Sequence, residues 1–215
     1  MNRQEIVNEI EQTGIVAVLR LDDDKKLPKI IESLAAGGIK AMEITMTTPN
    51  AIKIISEISK ETGSDFFVGA GTVLNAETTK AVIDAGARFV VSPVLKAEII
   101  QTAHAYETAV FPGSFTATEI LTAWELGADV VKVFPATALG PKFFKDIHGP
   151  LPDIKMTPTG GVALDNAAEF ISCGACCLGV GTSLLNKKMI VEDRWAELTE
   201  LASAFVEQVK IGRSK

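Results

Sequence analysis

The chemistry in this chain begins with one lysine, Lys132, set in the run Asp129-Val130-Val131-Lys132-Val133-Phe134-Pro135. β-Branched and aromatic residues surround it, Gly127 precedes the run and Pro135 ends it, so the segment reads as a buried β-strand. Burial of an ammonium costs desolvation and favours the neutral amine. A neutral amine attacks carbonyl carbon and can form a Schiff base. The alternatives are that Lys132 pairs with a carboxylate, or ends an edge strand and reaches out to water. A second ionisable residue, Glu43, lies in a strand of the same kind, Ala41-Met42-Glu43-Ile44-Thr45. Side chains alternate along a strand, so Ala41, Glu43 and Thr45 share one face, and Val130, Lys132 and Phe134 share one face of theirs. If Met42, Ile44, Val131 and Val133 meet helices, Glu43 and Lys132 point into one interior. There they form either a structural ion pair or a nucleophile with a proton shuttle.

The elements that must position these two residues follow from a recurring phrase. Ala36-Gly37-Gly38-Ile39-Lys40-Ala41-Met42-Glu43-Ile44 is echoed by Ala85-Gly86-Ala87-Arg88-Phe89-Val90-Val91, by Leu126-Gly127-Ala128-Asp129-Val130-Val131, and by Cys173-Gly174-Ala175-Cys176-Cys177-Leu178. Each time an amphipathic helix stops at a glycine able to take the left-handed cap conformation, and a short apolar strand follows. Eight strands are predicted: Ile15–Arg20, Ala41–Thr45, Phe66–Thr72, Phe89–Pro93, Ala109–Gly113, Val130–Pro135, Lys155–Gly160 and Cys177–Gly181. Helical patterns separate them, as at Asn50–Lys60, Ala76–Ala85, Thr116–Leu126 and Leu164–Cys173, and a last helix is expected near Glu192–Val209. No linker divides the chain. The expectation is an α/β fold, a (β/α)8 (TIM) barrel with an N-terminal helix, as a single domain over residues 1–215.

Such barrels carry their chemistry at the C-terminal ends of the strands. This chain places there Arg20, Glu43 with Thr45, Thr72, Ser92-Pro93, Pro112-Gly113, Lys132 with Phe134, Thr159-Gly160-Gly161 and Gly181-Thr182. The glycine loops after the seventh and eighth strands are where these barrels often hold phosphate, because glycine lets backbone N–H groups approach the oxygens. Each could equally be a turn. Gly179-Val180-Gly181 is only a fragment of a dinucleotide fingerprint and comes too late in the chain for one.

The other polar residues read as structural. Asp22-Asp23-Asp24 fits a helix start better than a metal site. Thr47-Thr48-Pro49 reads as a helix N-cap, and His148-Gly149-Pro150 as a turn after a helix. His104 is expected on a helix surface, and Trp124 and Trp195 between helices. The three cysteines, Cys173, Cys176 and Cys177, have redox-like and zinc-like spacing, but with only two distant histidines they read as structural. No metal site is expected.

Composition narrows the class of protein. Apolar residues make up 47% of 215, enough for a substantial core. The net charge of −6 and the lack of a basic block argue against nucleic acid. No apolar run approaches the roughly 20 residues of a membrane span, and the N-terminus lacks a signal-peptide core. A cytoplasmic protein with no membrane partner is expected.

The fragments also occur in the order of one known family. They are Gly14-Ile15-Val16-Ala17-Val18-Leu19-Arg20, Glu43-Ile44-Thr45, Val68-Gly69-Ala70-Gly71-Thr72-Val73, Val91-Ser92-Pro93, Phe111-Pro112-Gly113, Val131-Lys132-Val133-Phe134-Pro135-Ala136, Pro158-Thr159-Gly160-Gly161-Val162 and Gly179-Val180-Gly181-Thr182-Ser183-Leu184. Over nearly its whole length the chain resembles the 2-keto-3-deoxy-6-phosphogluconate (KDPG)/4-hydroxy-2-oxoglutarate (KHG) aldolases, which are lysine-dependent pyruvate aldolases. The resemblance implies Lys132 as the Schiff-base lysine and Glu43 as the acid/base. It implies a pyruvate pocket with Thr45 and Thr72, closed by Pro93 and Phe134, with Thr159 beside the substrate. Gly160, Gly161, Gly181 and Thr182 would lie at the phosphate. It also implies no cofactor, a phosphorylated 2-keto-3-deoxy sugar acid as the small-molecule substrate, and a homotrimer. One branch of the family has an arginine four residues after the glutamate where this chain has Thr47, and Arg20 looks like the carboxylate ligand used in the other branch. Thr182 stands where serine is frequent. The implied reaction is cleavage of KDPG to pyruvate and glyceraldehyde 3-phosphate, with 4-hydroxy-2-oxoglutarate or the galactonate epimer as further substrates. A non-covalent phosphate-binding isomerase or epimerase, and a sugar-phosphate sensor, are the rival readings.

Overall fold

The computed structural model describes residues 1–20, 25–62 and 66–215, so Asp22-Asp23-Asp24 lies outside the described residues. Among those residues there are nine strands: β1 (Ile15–Leu19), β2 (Ala41–Thr45), β3 (Phe67–Gly71), β4 (Phe89–Val91), β5 (Ala109–Phe111), β6 (Gly113–Ser114), β7 (Val131–Val133), β8 (Met156–Pro158) and β9 (Leu178–Val180). Ten α-helices accompany them: α1 (Arg3–Thr13), α2 (Leu27–Ala36), α3 (Ala51–Glu61), α4 (Ala76–Asp84), α5 (Ala97–Ala105), α6 (Ala117–Glu125), α7 (Gly140–His148), α8 (Leu164–Ser172), α9 (Lys187–Val191) and α10 (Trp195–Arg213).

All strand pairs are parallel, and they form two arcs, ordered β5-β4-β3-β2-β1-β9 and β6-β7-β8. This curled parallel sheet with helices outside it meets the expected α/β plan, but the eight predicted strands are not one uniform ladder. The fifth breaks at Pro112, which has no N–H to donate. Before the break β5 pairs with β4; after it, β6 pairs with β7. Backbone hydrogen bonds cross the break, from Asp129 N to Val110 O at 3.1 Å and from Lys132 N to Pro112 O at 2.9 Å. Isolated bridges Met156↔Ala175 and Thr159↔Gly179 link the other ends of the arcs.

The recurring helix–strand phrase has one backbone cause. Gly38, Gly86, Gly127 and Gly174 take φ of 90°, 102°, 97° and 105°, which reverses the chain from helix into strand. The strands then bury both faces. Met42, Ile44, Val131 and Val133 pack outward among the helices, while Val16, Phe67, Phe89, Val91, Phe111 and Val130 fill the inside of the curl. The alternation argument therefore holds for β2 and β7. Helix α1 seals the N-terminal end of that interior with Ile6, Val7 and Ile10. It is started by an Asn2/Glu5 capping box and stopped by left-handed Gly14. Salt bridges from Arg3 to Asp129 (3.2 Å) and from Glu11 to Lys155 (2.9 Å) tie it down.

Three local expectations change. The last predicted helix is α10, displaced to Trp195–Arg213, and a short unpredicted helix, α9, precedes it across a turn with Asp193 at φ 55°. Lys26 holds that turn through Ile190 O, Val191 O and the Asp193 carboxylate. Helix α3 begins after Asn50, itself left-handed at φ 57°, so Thr47-Thr48-Pro49 precedes the cap position instead of forming it. His104 lies in the last turn of α5 as expected but turns toward buried Asp129, at 3.7 Å. Trp124 and Trp195 pack against the core, Gly149 follows α7 at its C-cap, and the three cysteines are free thiols. Among the described residues no helix is long and apolar enough to cross a membrane.

Candidate active site

Strand geometry aims Glu43 and Lys132 at each other. Glu43 sits mid-strand in β2 and Lys132 in β7, both on inward positions, and Lys132 Nζ lies 3.9 Å from Glu43 Oε1. Their side chains are 3% and 6% exposed, so this is a buried pair in a medium that strengthens its attraction. Burial pushes the Glu43 carboxyl above its ordinary range, opposed by the nearby charges of Lys132 and then Arg20. The lysine nitrogen also stands 5.2 Å from the centre of the Phe134 ring, which its charge favours. A small internal cavity touches both residues and is walled by Val16, Val91, Phe111, Thr157, Thr159 and Gly179. Thr157 is in register with Lys132 and donates its hydroxyl to Cys177 O at 3.0 Å.

Above that cavity a cleft of about 440 Å³ opens at the C-terminal ends of the strands. Of the predicted site residues, Arg20, Phe134, Thr159, Gly160, Gly161, Gly181 and Thr182 line it. Thr159 and Gly179 belong to both spaces, so the lysine chamber and the cleft share a wall. Gly160 and Gly161 adopt φ of 87° and 76° at the entry to α8, where backbone amides favour an anion. That loop is braced. Asn166 accepts from Ala163 N (2.9 Å) and donates to Gly161 O (2.8 Å), while Ser183 Oγ donates to Val162 O at 2.6 Å.

The remaining predicted residues line neither space. Thr45 ends β2, buried, its hydroxyl 2.8 Å from that of Thr47. Thr72 follows β3 at φ 60°, a conformation rarely adopted by a β-branched residue and one that clusters at functional sites. Pro93 follows β4, its backbone so close to Gly113 that a Cβ there would stand 2.2 Å from the Pro93 carbonyl carbon. Among the described residues no three His, Cys, Asp or Glu side chains gather as a metal-binding group.

Several contributing contacts were not legible in the sequence, although Gly179 was read there as part of the Gly179-Val180-Gly181-Thr182 phosphate-loop candidate. Val18, in register with Glu43, lines the cleft beside Arg20. Ser183 bridges the two glycine loops. Gly179 leaves room for Thr159, since a Cβ at Gly179 would stand 2.4 Å from Thr159 Oγ1. Gly71 does the same for Glu43. The glycines were visible in the sequence, but their neighbours come from other strands.

An inward amine facing a carboxylate beneath a glycine-lined cleft is the arrangement a lysine-nucleophile enzyme on a parallel α/β scaffold requires. Known proteins agree. The family model for KDPG and KHG aldolase matches residues 6–201. A 2-dehydro-3-deoxy-phosphogluconate aldolase of Pseudomonas aeruginosa is 36% identical over 92% of this chain and 90% of its own. A 2-dehydro-3-deoxy-6-phosphogalactonate aldolase of Escherichia coli is 34% identical over 91% of this chain and 96% of its own. Among solved structures, a KDPG aldolase from Legionella pneumophila with pyruvate captured as a covalent carbinolamine is 29% identical, with a TM-score of 0.86 over 93% of this chain and 97% of that one. The chain belongs to the KDPG and KHG aldolase family.

Proposed function

We propose that this protein is a class I aldolase that cleaves 2-keto-3-deoxy-6-phosphogluconate to pyruvate and glyceraldehyde 3-phosphate, with Lys132 as nucleophile and Glu43 as acid/base. The observation that carries this reading is the buried 3.9 Å approach of Lys132 Nζ to Glu43 Oε1 beneath the glycine-lined cleft. The Lys132 amine attacks the C2 ketone, and loss of water from the carbinolamine gives an iminium. The C3–C4 bond then breaks, its electrons entering the iminium to form an enamine, while Glu43 takes the C4 hydroxyl proton. The aldehyde leaves, Glu43 returns a proton to C3, and hydrolysis frees pyruvate and the lysine. A carboxyl raised by burial holds its proton more firmly than a solvated one and is suited to both directions of transfer.

Arg20 takes the substrate carboxylate, Thr45, Thr72, Pro93 and Phe134 shape the pyruvate end, and Thr159 lies between the two ends. Gly160, Gly161, Gly181 and Thr182 take the phosphate. The two strand arcs act as one (β/α)8 barrel, a single domain over residues 1–215. The galactonate epimer is the second reading, because relatives named for each epimer match at 36% and 34% identity. A phosphorylated sugar acid does not cross a bilayer unaided, which supports a cytoplasmic site of action. A homotrimer, which the family resemblance implies and for which Leu74, Val94 and Phe115 offer exposed apolar surface after β3, β4 and β6, would appear in sedimentation equilibrium as three times the chain mass.

The test is incubation with pyruvate and borohydride, then intact mass and peptide mapping. One reduced pyruvate adduct on Lys132 is expected, and turnover assays on both epimers and on 4-hydroxy-2-oxoglutarate then rank the substrates. A folded protein that forms no adduct would refute the mechanism and favour a non-covalent phosphate-binding barrel.

A further inference from the structure

Strand β3 places two glycines, Gly69 and Gly71, on the inward face of the curl, where a side chain would normally project. The reason differs between them. A Cβ at Gly69 would stand 2.5 Å from the ring of Phe89, a fully buried residue of the interior apolar layer. A Cβ at Gly71 would instead stand 2.7 Å from Glu43 Oε1, 2.8 Å from its Cδ and 3.3 Å from its Cγ. Neither position has a left-handed φ, so space, not backbone conformation, is what requires glycine.

The backbone at Gly71 is fixed from both sides. Gly71 is in register with Thr45, its carbonyl accepts from Met46 N at 2.8 Å, and Val73 N donates to Val91 O at 3.1 Å. The next residue, Thr72, is already held at φ 60°. A methyl group added at Gly71 therefore cannot be relieved by moving the strand. The carboxylate must move, and ordinary contact begins near 3.4 Å, so Oε1 must retreat by about 0.7 Å. Its present place, 3.9 Å from Lys132 Nζ, is the one from which it would serve carbon bound to that nitrogen.

We propose that Gly71 is a positioning residue for proton transfer: it is the socket that seats the Glu43 carboxylate against Lys132, and any larger residue unseats it. This rests on the roles given above to Lys132 and Glu43. The step affected is exchange at the pyruvate methyl carbon. In the pyruvate iminium on Lys132, Glu43 carboxylate removes a C3 proton; the C–H electrons form the C=C bond of the enamine, and the C=N π electrons return to nitrogen. Reversal in D2O delivers deuterium to C3. Seating of Glu43 governs this step and not nucleophilic attack by the amine.

The experiment compares wild type, G71A, G69A, E43A and the double variant G71A/E43A. Each is incubated with pyruvate, scored for borohydride-trapped adduct on Lys132, and followed by proton NMR for loss of the methyl signal in D2O. G71A is expected to fold with near-normal Tm, because the group that gives way is the end of a flexible side chain. It should keep the adduct but exchange on the order of 10²-fold more slowly, the scale of effect for a misplacement near 1 Å. In the E43A background the same substitution should change exchange by less than about twofold, the sign that it acts through Glu43. G69A should lower Tm and leave exchange per folded molecule near wild type. Undiminished exchange in G71A would overturn the proposal, as would an equal loss in the E43A background. If G71A alone fails to fold, G71A/E43A must fold as well as E43A does, since the conflicting atoms are gone; failure of both G71A variants while E43A folds would overturn the socket. A wild-type protein with no adduct would instead overturn the aldolase reading itself.

Discussion

Lys132→Met removes one charge of a buried pair while keeping most of the apolar stem, and its effect on stability should depend on pH. Two unit charges 3.9 Å apart attract by about 4 kcal/mol at an effective dielectric constant near 20. Loss of one partner from a buried pair typically costs about 3–5 kcal/mol. Glu43 can avoid that cost by keeping its proton. Its carboxyl is already raised above the ordinary 4.5 by burial, and Lys132 is the larger of the two charges that oppose the rise. In the variant the folded state therefore holds a proton that the unfolded chain releases, and stability falls as pH rises above about 4.5. The fall is about 1.4 kcal/mol per pH unit until Glu43 ionises in the folded state, which caps the total near the loss of the pair. Urea unfolding between about pH 5 and pH 8 reads this directly. The deficit of K132M relative to wild type should be small at the acid end and reach about 3–5 kcal/mol at the alkaline end. K132M/E43Q should show no such trend. A deficit of the same size at both ends would refute the argument, because it would mean that the loss comes from packing and not from an unpaired Glu43.

Two further outcomes are expected. Glu43→Gln should retain the pyruvate adduct on Lys132 but lower kcat by about 10²- to 10⁴-fold, and wild-type turnover would remove Glu43 from proton transfer. Ser183→Ala deletes the 2.6 Å bond to Val162 O that joins the two glycine loops. At about 1 kcal/mol for one hydrogen bond it should raise KM for the phosphorylated substrate several-fold without reducing adduct formation from pyruvate, and an unchanged KM would count against those loops as the phosphate site.

What could be read from the sequence was whatever a local pattern encodes. The strand around Lys132, the inward alternation of Glu43, and the glycine turns at Gly38, Gly86, Gly127 and Gly174 each depend on a few neighbouring residues, and each holds. The break at Pro112 was legible in principle, since proline lacks the donor a central strand needs, but the apolar run through it concealed the change of partner from β4 to β7. The short helix α9 went unread because the turn at Asp193 that follows it is held by Lys26, more than 160 residues away. The same limit applies to the candidate site. Arg20, Thr159 and the glycine loops announce themselves by residue type at strand ends, whereas Val18, Ser183 and Gly71 matter only for what folding brings beside them.

Helix α1 closes the far end of the curl, and among the described residues the chamber around Lys132 adjoins the cleft at Thr159 and Gly179. A substrate bound in that cleft meets the lysine across the wall shared by Thr159 and Gly179. In the proposed mechanism the phosphorylated fragment lies on the cleft side, at the glycine loops, and the three-carbon fragment stays tethered to Lys132 until water arrives. Departure is therefore sequential, aldehyde first and pyruvate last. Pyruvate should then compete with substrate in product-inhibition kinetics and the aldehyde should not; the reverse pattern would contradict release of pyruvate from a covalent adduct on Lys132.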